Sequence, residues 1–273
     1  MKPLPPELHN WLQGYNELLA RLEREGFELT PETAREGLAN LTAGLVTQSP
    51  DMASVIDIQA EGPCGPIPLR IYHPEPDEFR PLLFYLHGGG HMAGSIGVYD
   101  PICRKLALAS GRIVVSVEYR LAPEHPYPAG LEDAETALRQ IFDLLQQQGF
   151  RFQRRLAIGG DSGGGAMAAT LAHYLQGDAE VDIEKQLLIY PSLDYTMRHA
   201  SIEENGRGYL LHADKIGWYF DHYLQRGEDR RAVSPLHMDF TPRLPTTLLV
   251  TAAYDPLRDE GCLLYTSPSP RDS

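Results

Sequence analysis

Cysteines and long apolar runs are scarce in this sequence of 273 residues. The three cysteines, Cys64, Cys103 and Cys262, are too few and too scattered for a disulfide framework or a zinc site. No apolar run approaches the ~20 residues of a membrane-spanning helix, and the first residues lack the apolar stretch of a secretory signal. We therefore expect a cytoplasmic protein without a membrane span.

Basic residues are also few relative to acidic ones. With 24 Lys and Arg against 37 Asp and Glu, the net charge is −13 and the pI is near 5.2. Such a surface repels phosphate backbones, which argues against a nucleic-acid partner. The hydrophobic fraction of 42% is ordinary for a globular protein. The length is sufficient for one large α/β domain with a sizeable core.

The first 48 residues follow a helical pattern. Apolar residues recur at three- and four-residue spacings over residues 11–22, which predicts an amphipathic helix. Thr30 followed by Pro31 is typical of an N-cap with proline at the first helical position, so a second helix is expected to end near Leu45. We expect residues 1–48 to form an N-terminal helical cap segment.

From residue 54 onward, short apolar segments alternate with helical ones. This alternation predicts an α/β fold, with a mostly parallel sheet covered by helices on both faces. Residues 195–225 interrupt the alternation with a polar and aromatic helical stretch, which predicts a cap insertion in a core of residues 49–261. The predicted strands cover 54–60, 68–72, 82–86, 113–117, 156–159, 186–190 and 248–252, and the predicted helices 100–109, 131–148 and 162–175.

The first chemical signal is the run Gly160-Asp161-Ser162-Gly163-Gly164, which fits G-x-S-x-G between a predicted strand and a predicted helix. A nucleophile on such a sharp turn is crowded, and glycines without a Cβ permit the close approach of the backbone. The turn would expose the Ser162 hydroxyl above the carboxyl edge of the sheet. It would also aim the N–H of Gly163 toward the reacting centre.

The second signal, His87-Gly88-Gly89-Gly90, directly follows the predicted strand 82–86. Consecutive glycines free the backbone to turn N–H groups toward an anion, such as a tetrahedral intermediate. Losing one such donor typically costs about 100- to 1000-fold in rate. Alone, the run fits a flexible loop equally well. With the elbow downstream, it predicts an oxyanion hole whose candidate donors are Gly88, Gly89, Gly90 and Gly163.

The third signal begins at Asp255, in the run D-P-L-R-D-E-G that follows the predicted strand 248–252. An acid just past the carboxyl end of a late strand can orient a histidine and stabilise its imidazolium. An aspartate before a proline is equally common as a helix cap. The motif by itself leaves both interpretations open.

Together with residues 119–124, Tyr-Arg-Leu-Ala-Pro-Glu, these motifs resemble those of the hormone-sensitive-lipase family of bacterial esterases. The resemblance extends from the N-terminal helices to Gly261. It implies an α/β-hydrolase core under a helical cap, with Ser162 and Asp255 in a triad of chain order Ser, Asp, His. It also implies oxyanion donors at Gly89, Gly90 and Gly163, short- to medium-chain acyl ester substrates and no cofactor. The oligomeric state stays open, and the full-length protein could be a homodimer.

Two residues depart from the pattern of that family. Gly163 stands where alanine is usual, but its N–H is retained, so its oxyanion role should survive. His91 stands where an aromatic or apolar residue is common, and we expect it to make the substrate pocket more polar.

The end of the sequence departs further. Residues 262–272 resemble the in-frame translation of a sequencing-library adapter, so we expect 262–273 to be a non-native tail and the natural chain to continue past Gly261. The triad histidine is expected about 30 residues after Asp255, yet no histidine follows His237. We therefore expect the last strand and helix of the fold to be missing. The 273-residue chain should be nearly inactive, with an exposed apolar strand edge that favours aggregation.

Other assignments explain less of the sequence. His91 could approach the site as a substitute base, but nothing indicates that it meets Asp255. His87 and His91 lack the helical context of a zinc pair. Residues 163–168 also fit G-x-G-x-x-A, with Asp182 and Glu184 about 20 residues on, as in dinucleotide-binding enzymes. A non-catalytic small-molecule receptor on the same fold is the other alternative, because the plant gibberellin receptor resembles this family and lacks the triad histidine.

Overall fold

The computed structural model describes residues 3–266, and their strands form one seven-stranded sheet. Its spatial order is β1-β2-β4-β3-β5-β6-β7. The first two strands form an antiparallel hairpin that joins the sheet antiparallel to β4, and the remaining neighbours are parallel. The strands are β1 (Ser54–Gly62), β2 (Gly65–His73), β3 (Arg80–Leu86), β4 (Ile113–Val117), β5 (Phe152–Asp161), β6 (Ile183–Ile189) and β7 (Thr246–Val250).

Helices precede the sheet, connect its parallel strands and follow β6. They are α1 (Pro6–Arg24), α2 (Pro31–Leu45), α3 (Ile96–Ser110), α4 (Ala129–Gln147), α5 (Ser162–Tyr174), α6 (Ala200–Asn205), α7 (Ala213–Tyr223) and α8 (Arg258–Thr266), with a 3-10 turn at Pro235–His237. This arrangement confirms the predicted α/β-hydrolase fold. Helix α3 begins four residues before the predicted start at Asp100, because the Ser95 side chain caps it by accepting from the N–H of Val98 at 3.1 Å.

The core lies on both faces of the central strands. Leu82, Phe84 and Leu86 of β3 pack with α4 and α5 on one face. Leu83 and Tyr85 alternate with them and pack against α3 on the other face. All five side chains are buried, so β3 reads as a continuous apolar run. The buried strand β3 therefore fixes the position at which the loop after Leu86 begins.

A separate apolar cluster joins elements that are distant in sequence. It contains Ala34 of α2, Ile216 and Tyr219 of α7, and Met92 of the loop after β3. Helices α2 and α7 thus share contacts with that loop. The assignment of residues 1–48 and 195–225 to one cap is consistent with this packing and stays a prediction.

Strand β7 forms one edge of the sheet in the described part of the chain. Leu248 is 63% exposed and Val250 43% exposed on this edge. Residues 262–266 continue helix α8, and the rest of the tail predicted to be non-native, residues 267–273, lies outside the described residues. Within residues 3–266, none of the helices combines the length and the apolar character needed to cross a membrane.

Candidate active site

Ser162 occupies a sharp turn between β5 and α5. Its φ of 50° lies in the left-handed region, which a non-glycine residue adopts rarely and at a cost. The turn closes because Gly160 and Gly164 lack side chains. A Cβ on Gly164 would overlap the carbonyl oxygens of Leu86 and His87, and one on Gly160 would lie 2.6 Å from the Leu86 oxygen. The strand-to-helix turn predicted from the sequence is present at Ser162.

The glycine loop after β3 lies directly against this turn. Gly89 has φ 119° and Gly90 has φ 62°, both conformations that favour glycine. A Cβ on Gly163 would lie 3.4 Å from the nitrogen of Gly90, so the loop and the turn are in contact. Among residues 3–266, the N–H groups of Gly89 and Gly90 donate no hydrogen bond. Gly163 lies in the first turn of α5, where N–H groups have no intrahelical acceptor.

Gly88 differs from the other predicted oxyanion donors. Its N–H donates to Oδ1 of Asp161 at 2.9 Å and lies 3.1 Å from the Tyr99 hydroxyl oxygen. It is therefore already engaged, and we retain only Gly89, Gly90 and Gly163 as candidate donors. The same Asp161 carboxylate accepts from the Tyr85 hydroxyl at 2.9 Å and the Tyr99 hydroxyl at 2.8 Å. Burial raises the pKa of Asp161, while the hydrogen bonds from Tyr99 and Tyr85 lower it.

Asp161 therefore joins the nucleophile turn to the glycine loop through one buried carboxylate. In the sequence, Asp161 stands only at the variable position of G-x-S-x-G. The aspartate itself was the available signal, because a charged residue inside an apolar strand end needs several donors.

Residues 119–124 also support the glycine loop, through contacts with His87. The Tyr119 hydroxyl donates to the carbonyl oxygen of His87 at 2.6 Å, and the two rings stack with centroids 4.4 Å apart. Arg120 donates from Nε and Nη2 to the two carboxylate oxygens of Asp133, each at 2.8 Å. This bidentate pair fixes the start of α4 against the segment that holds His87.

Arg35 of α2 makes the connection between the N-terminal segment and the loop. Its Nε donates to the carbonyl oxygen of Met92 at 2.9 Å, and its Nη2 donates to that of Ala122 at 3.0 Å. The guanidinium also donates to both carboxylate oxygens of Glu124, at 2.9 and 2.6 Å. Hydrogen bonding to Arg35 lowers the pKa of Glu124. Nothing in the sequence around Arg35 predicts these contacts, because its partners lie at least 57 positions further along the chain.

The two histidines of the loop are buried and neutral. Burial lowers the pKa of His87 to about 4 and that of His91 to about 3. The His91 ring stacks on Tyr223 with centroids 3.8 Å apart, and its Nε2 lies 3.2 Å from the Tyr195 hydroxyl. The ring packs among tyrosines, and the expectation that His91 makes the substrate pocket more polar stays a prediction. Neither imidazole has the pKa of a general base near pH 7.

Asp255 follows β7, as predicted. Its Oδ1 accepts from the N–H of Leu257 at 2.9 Å, and burial raises its pKa. Tyr190, at the end of β6, has its pKa raised to about 12 by burial and by the charges of Asp161 and Asp255. The two carboxylates therefore act on one tyrosine at the carboxyl edge of the sheet. The hydrogen bond to Leu257 also matches the alternative cap role of Asp255, so both roles remain compatible with the structure.

Glu260 is a further acid in this region that the sequence analysis did not single out. Its Oε2 accepts from the N–H groups of Leu193 and Asp194 at 2.6 and 2.9 Å. Ser201 adds a second connection, since its hydroxyl donates to the carbonyl oxygen of Pro256 at 2.6 Å. Burial raises the pKa of Glu260 to about 8. These contacts fasten the segment that carries Asp255 to the chain after β6.

Two alternatives concern other kinds of site, a metal site and a dinucleotide site. In the described part of the chain, no three His, Cys, Asp or Glu side chains are grouped to hold a metal ion. A Cβ on Gly165 would lie 2.9 Å from Cβ of Pro191, so this glycine serves the close packing of α5. Glu184, one of the two candidate ribose-binding acids, forms an ion pair with Arg155 at 2.9 Å.

The sheet order and a serine turn at the carboxyl end of β5 define an α/β hydrolase. Residues 83–267 match the family described by the alpha/beta hydrolase fold, and the chain belongs to this family.

Its relatives include several esterases. Over 214 residues the chain is 38% identical to esterase LipI of Mycobacterium tuberculosis, covering 76% of this chain and 66% of LipI. Over 201 residues it is 36% identical to an ethyl acetate hydrolase of Pseudomonas putida, covering 71% of this chain and 63% of the relative. The chain thus spans less than two thirds of the length of either curated relative. A solved hyperthermophilic esterase of Pyrobaculum calidifontis has 36% identity and a TM-score of 0.84, covering 96% of this chain and 83% of that structure. These relatives confirm the resemblance to hormone-sensitive-lipase-type esterases.

Proposed function

We propose that the protein hydrolyses carboxylic esters with short- to medium-chain acyl groups through an acyl-enzyme formed on Ser162. The observation that carries the proposal is the contact between the serine turn and the glycine loop. There the strained Ser162 lies next to a loop in which the N–H groups of Gly89 and Gly90 have no acceptor among residues 3–266. The esterase relatives support the same reaction class.

In the proposed mechanism, Ser162 Oγ attacks the ester carbonyl carbon while a histidine accepts the hydroxyl proton. The carbonyl oxygen becomes an oxyanion that the N–H groups of Gly89, Gly90 and Gly163 stabilise. When the intermediate collapses, the bond to the alcohol oxygen breaks and the histidine returns the proton to the leaving alcohol. Water then attacks the acyl carbon, its proton passes to the histidine and back to Ser162, and the carboxylic acid is released.

Asp255 is proposed to orient that histidine and to stabilise its imidazolium. The histidine itself is not assigned to any of the 273 residues, since none follows His237 in the sequence. His87 and His91 are buried among tyrosines and are neutral. We therefore propose that the natural reading frame supplies the base after residue 261, and that the 273-residue chain alone is nearly inactive.

The test compares hydrolysis of p-nitrophenyl butyrate by the 273-residue chain and by the full reading frame of the source gene. We expect the full frame to be active and its Ser162→Ala variant to lose about a million-fold in kcat, as expected for a broken triad. The 273-residue chain should be near that lower level.

Two results would contradict the proposal. Ser162-dependent activity of the 273-residue chain at the full-frame level would show that a histidine is not supplied from beyond residue 261. An inactive full frame that still binds small molecules would favour the receptor alternative.

A further inference from the structure

Two of the N–H groups proposed for the oxyanion hole, those of Gly89 and Gly90, belong to planar peptides whose carbonyl oxygens point the opposite way. The group that holds each carbonyl therefore sets the direction of the N–H. The Gly89 carbonyl oxygen accepts from the N–H groups of Met92 at 3.1 Å and Ala93 at 2.9 Å. These backbone bonds fix the N–H of Gly90. The N–H of Gly89 shares its peptide with the Gly88 carbonyl, which a side chain holds.

That side chain is the imidazole of His87, whose Nδ1 lies 2.8 Å from the carbonyl oxygen of Gly88. Gly94 permits this approach, because a Cβ there would overlap both Nδ1 and the Gly88 oxygen. The imidazole is fully buried, and the rings of Tyr119 and Tyr99 lie against it with centroids 4.4 and 5.3 Å away. The packing therefore keeps the ring in the place from which it reaches the Gly88 carbonyl.

The neighbours of the ring determine which of its nitrogens carries the proton. A carbonyl oxygen only accepts, so the contact with Gly88 requires a proton on Nδ1 of His87. Nε2 is buried without a partner within residues 3–266, and a proton there would be a buried donor without an acceptor. The Tyr119 hydroxyl donates to the carbonyl oxygen of His87 at 2.6 Å, so its oxygen can also accept from Nδ1 at 3.2 Å. Because burial lowers the pKa of His87 to about 4, the ring is neutral at pH 7.

Gly88 is thus held at both of its polar groups. Its N–H donates to Oδ1 of Asp161 at 2.9 Å, and its carbonyl oxygen accepts from His87. A peptide between two glycines turns easily unless such bonds hold it, because glycine has a wide range of backbone angles. We propose that His87 is a positioning residue, which holds the Gly88–Gly89 peptide so that the N–H of Gly89 points away from the imidazole and toward the oxyanion. This proposal rests on the hydrolase function proposed above.

The first test determines the tautomer of His87 in the 273-residue chain, which does not require activity. Nitrogen-15 spectra of the histidine side chains are recorded at pH 7.5 and pH 5.5, and His87→Asn assigns the signal by its disappearance. We expect His87 to be neutral and protonated on Nδ1 at both pH values. An exposed imidazole with a pKa near 6.5 would be mostly protonated on both nitrogens at pH 5.5.

The second test measures hydrolysis of p-nitrophenyl butyrate by the full reading frame with His87→Leu and His87→Asn. The two new side chains have nearly the same size and shape, but asparagine retains an N–H donor close to the place of Nδ1. We expect His87→Leu to lower kcat about 100-fold with little change in KM, as for the loss of one oxyanion donor. His87→Asn should recover at least about tenfold of this loss. Melting temperatures show whether the two variants fold equally well.

Several results would overturn the proposal. A His87 ring protonated on Nε2 or on both nitrogens at pH 7.5 excludes the bond to Gly88, and this result stands even where His87→Leu does not fold. An equal loss of kcat in the leucine and asparagine variants, or a change confined to KM, would show that the ring only fills space. An inactive full-frame parent would contradict the hydrolase function, whereas the tautomer would still decide whether His87 holds the Gly88 carbonyl.

Discussion

The buried carboxylate of Asp161 is the contact on which the serine turn and the glycine loop both depend, and its replacement by asparagine should be costly. It accepts three hydrogen bonds, from Tyr85, from Tyr99 and from the N–H of Gly88. An asparagine oxygen in the Oδ1 position can still accept from Tyr85 and Gly88. Its amide group would then face the Tyr99 hydroxyl, whose proton would have no acceptor.

The magnitude follows from this count of donors. One buried hydroxyl left without an acceptor costs about 1–3 kcal/mol. Converting the two remaining bonds from charge-assisted to neutral costs about 1 kcal/mol more. We expect Asp161→Asn to lower the free energy of unfolding by about 2–4 kcal/mol, and Asp161→Ala to lower it further because all three donors lose their acceptor. Urea denaturation followed by circular dichroism measures this difference.

Ser162→Ala is the matched control, since it changes the adjacent residue. Ser162 is only partly buried, so removal of its hydroxyl should change stability by less than about 0.5 kcal/mol. Tyr85→Phe should fall between the two variants, because it removes one donor only. An Asp161→Asn variant within 0.5 kcal/mol of the parent would refute the assignment of this carboxylate as the shared acceptor.

Three further predictions concern pH and solubility. Because burial raises the pKa of Glu260 from 4.5 to about 8, the folded protein holds a proton that the unfolded chain releases between these pH values. The free energy of unfolding should therefore fall as the pH rises from about 4.5 to about 8. Glu260→Gln should reduce this decline by up to a few kcal/mol in denaturation curves collected across that range. The low pKa of His91 has the opposite effect on stability, because below pH 6.5 the unfolded chain binds a proton that the folded protein does not bind. His91→Phe should therefore shift the midpoint of acid unfolding to lower pH. An unchanged midpoint would contradict the burial of His91 as a neutral ring. Leu248→Lys should reduce light scattering by the 273-residue chain without lowering its melting temperature, because it adds a charge to an exposed strand edge. Leu249 is unsuitable for the same change, because its side chain is partly buried against the core.

The serine turn and the glycine loop could be predicted because their signals are local. Glycines at fixed offsets around Ser162 report a backbone conformation, and apolar runs before them report strands. The start of α3 was missed by four residues because Ser95, a capping residue, precedes the part of the helix whose pattern is apolar. A cap is a single-residue signal and is easily overlooked in a loop.

The supporting contacts could not be predicted because they join residues far apart in the chain. Arg35 meets Glu124, and Glu260 meets Leu193, across separations of 89 and 67 residues. Such pairs depend on the packing of whole elements, and an arginine on an amphipathic helix has the same local pattern whether it faces solvent or a carbonyl. The neutral state of His91 was also missed, because burial is a property of the fold and not of its neighbours in sequence.

The guanidinium of Arg35 has a consequence for how the N-terminal helices can move. It binds the chain just after the glycine loop and the segment 119–124 at the same time, so α2 cannot lift away without pulling on the backbone of Met92. Helix α1 is attached differently, because it has no fully buried residue and its Asn16 amide donates to the carbonyl oxygen of Gly208 at 2.9 Å. The two helices therefore need not move together, and α2 is expected to stay in place with the chain at Met92 and Ala122 as one body.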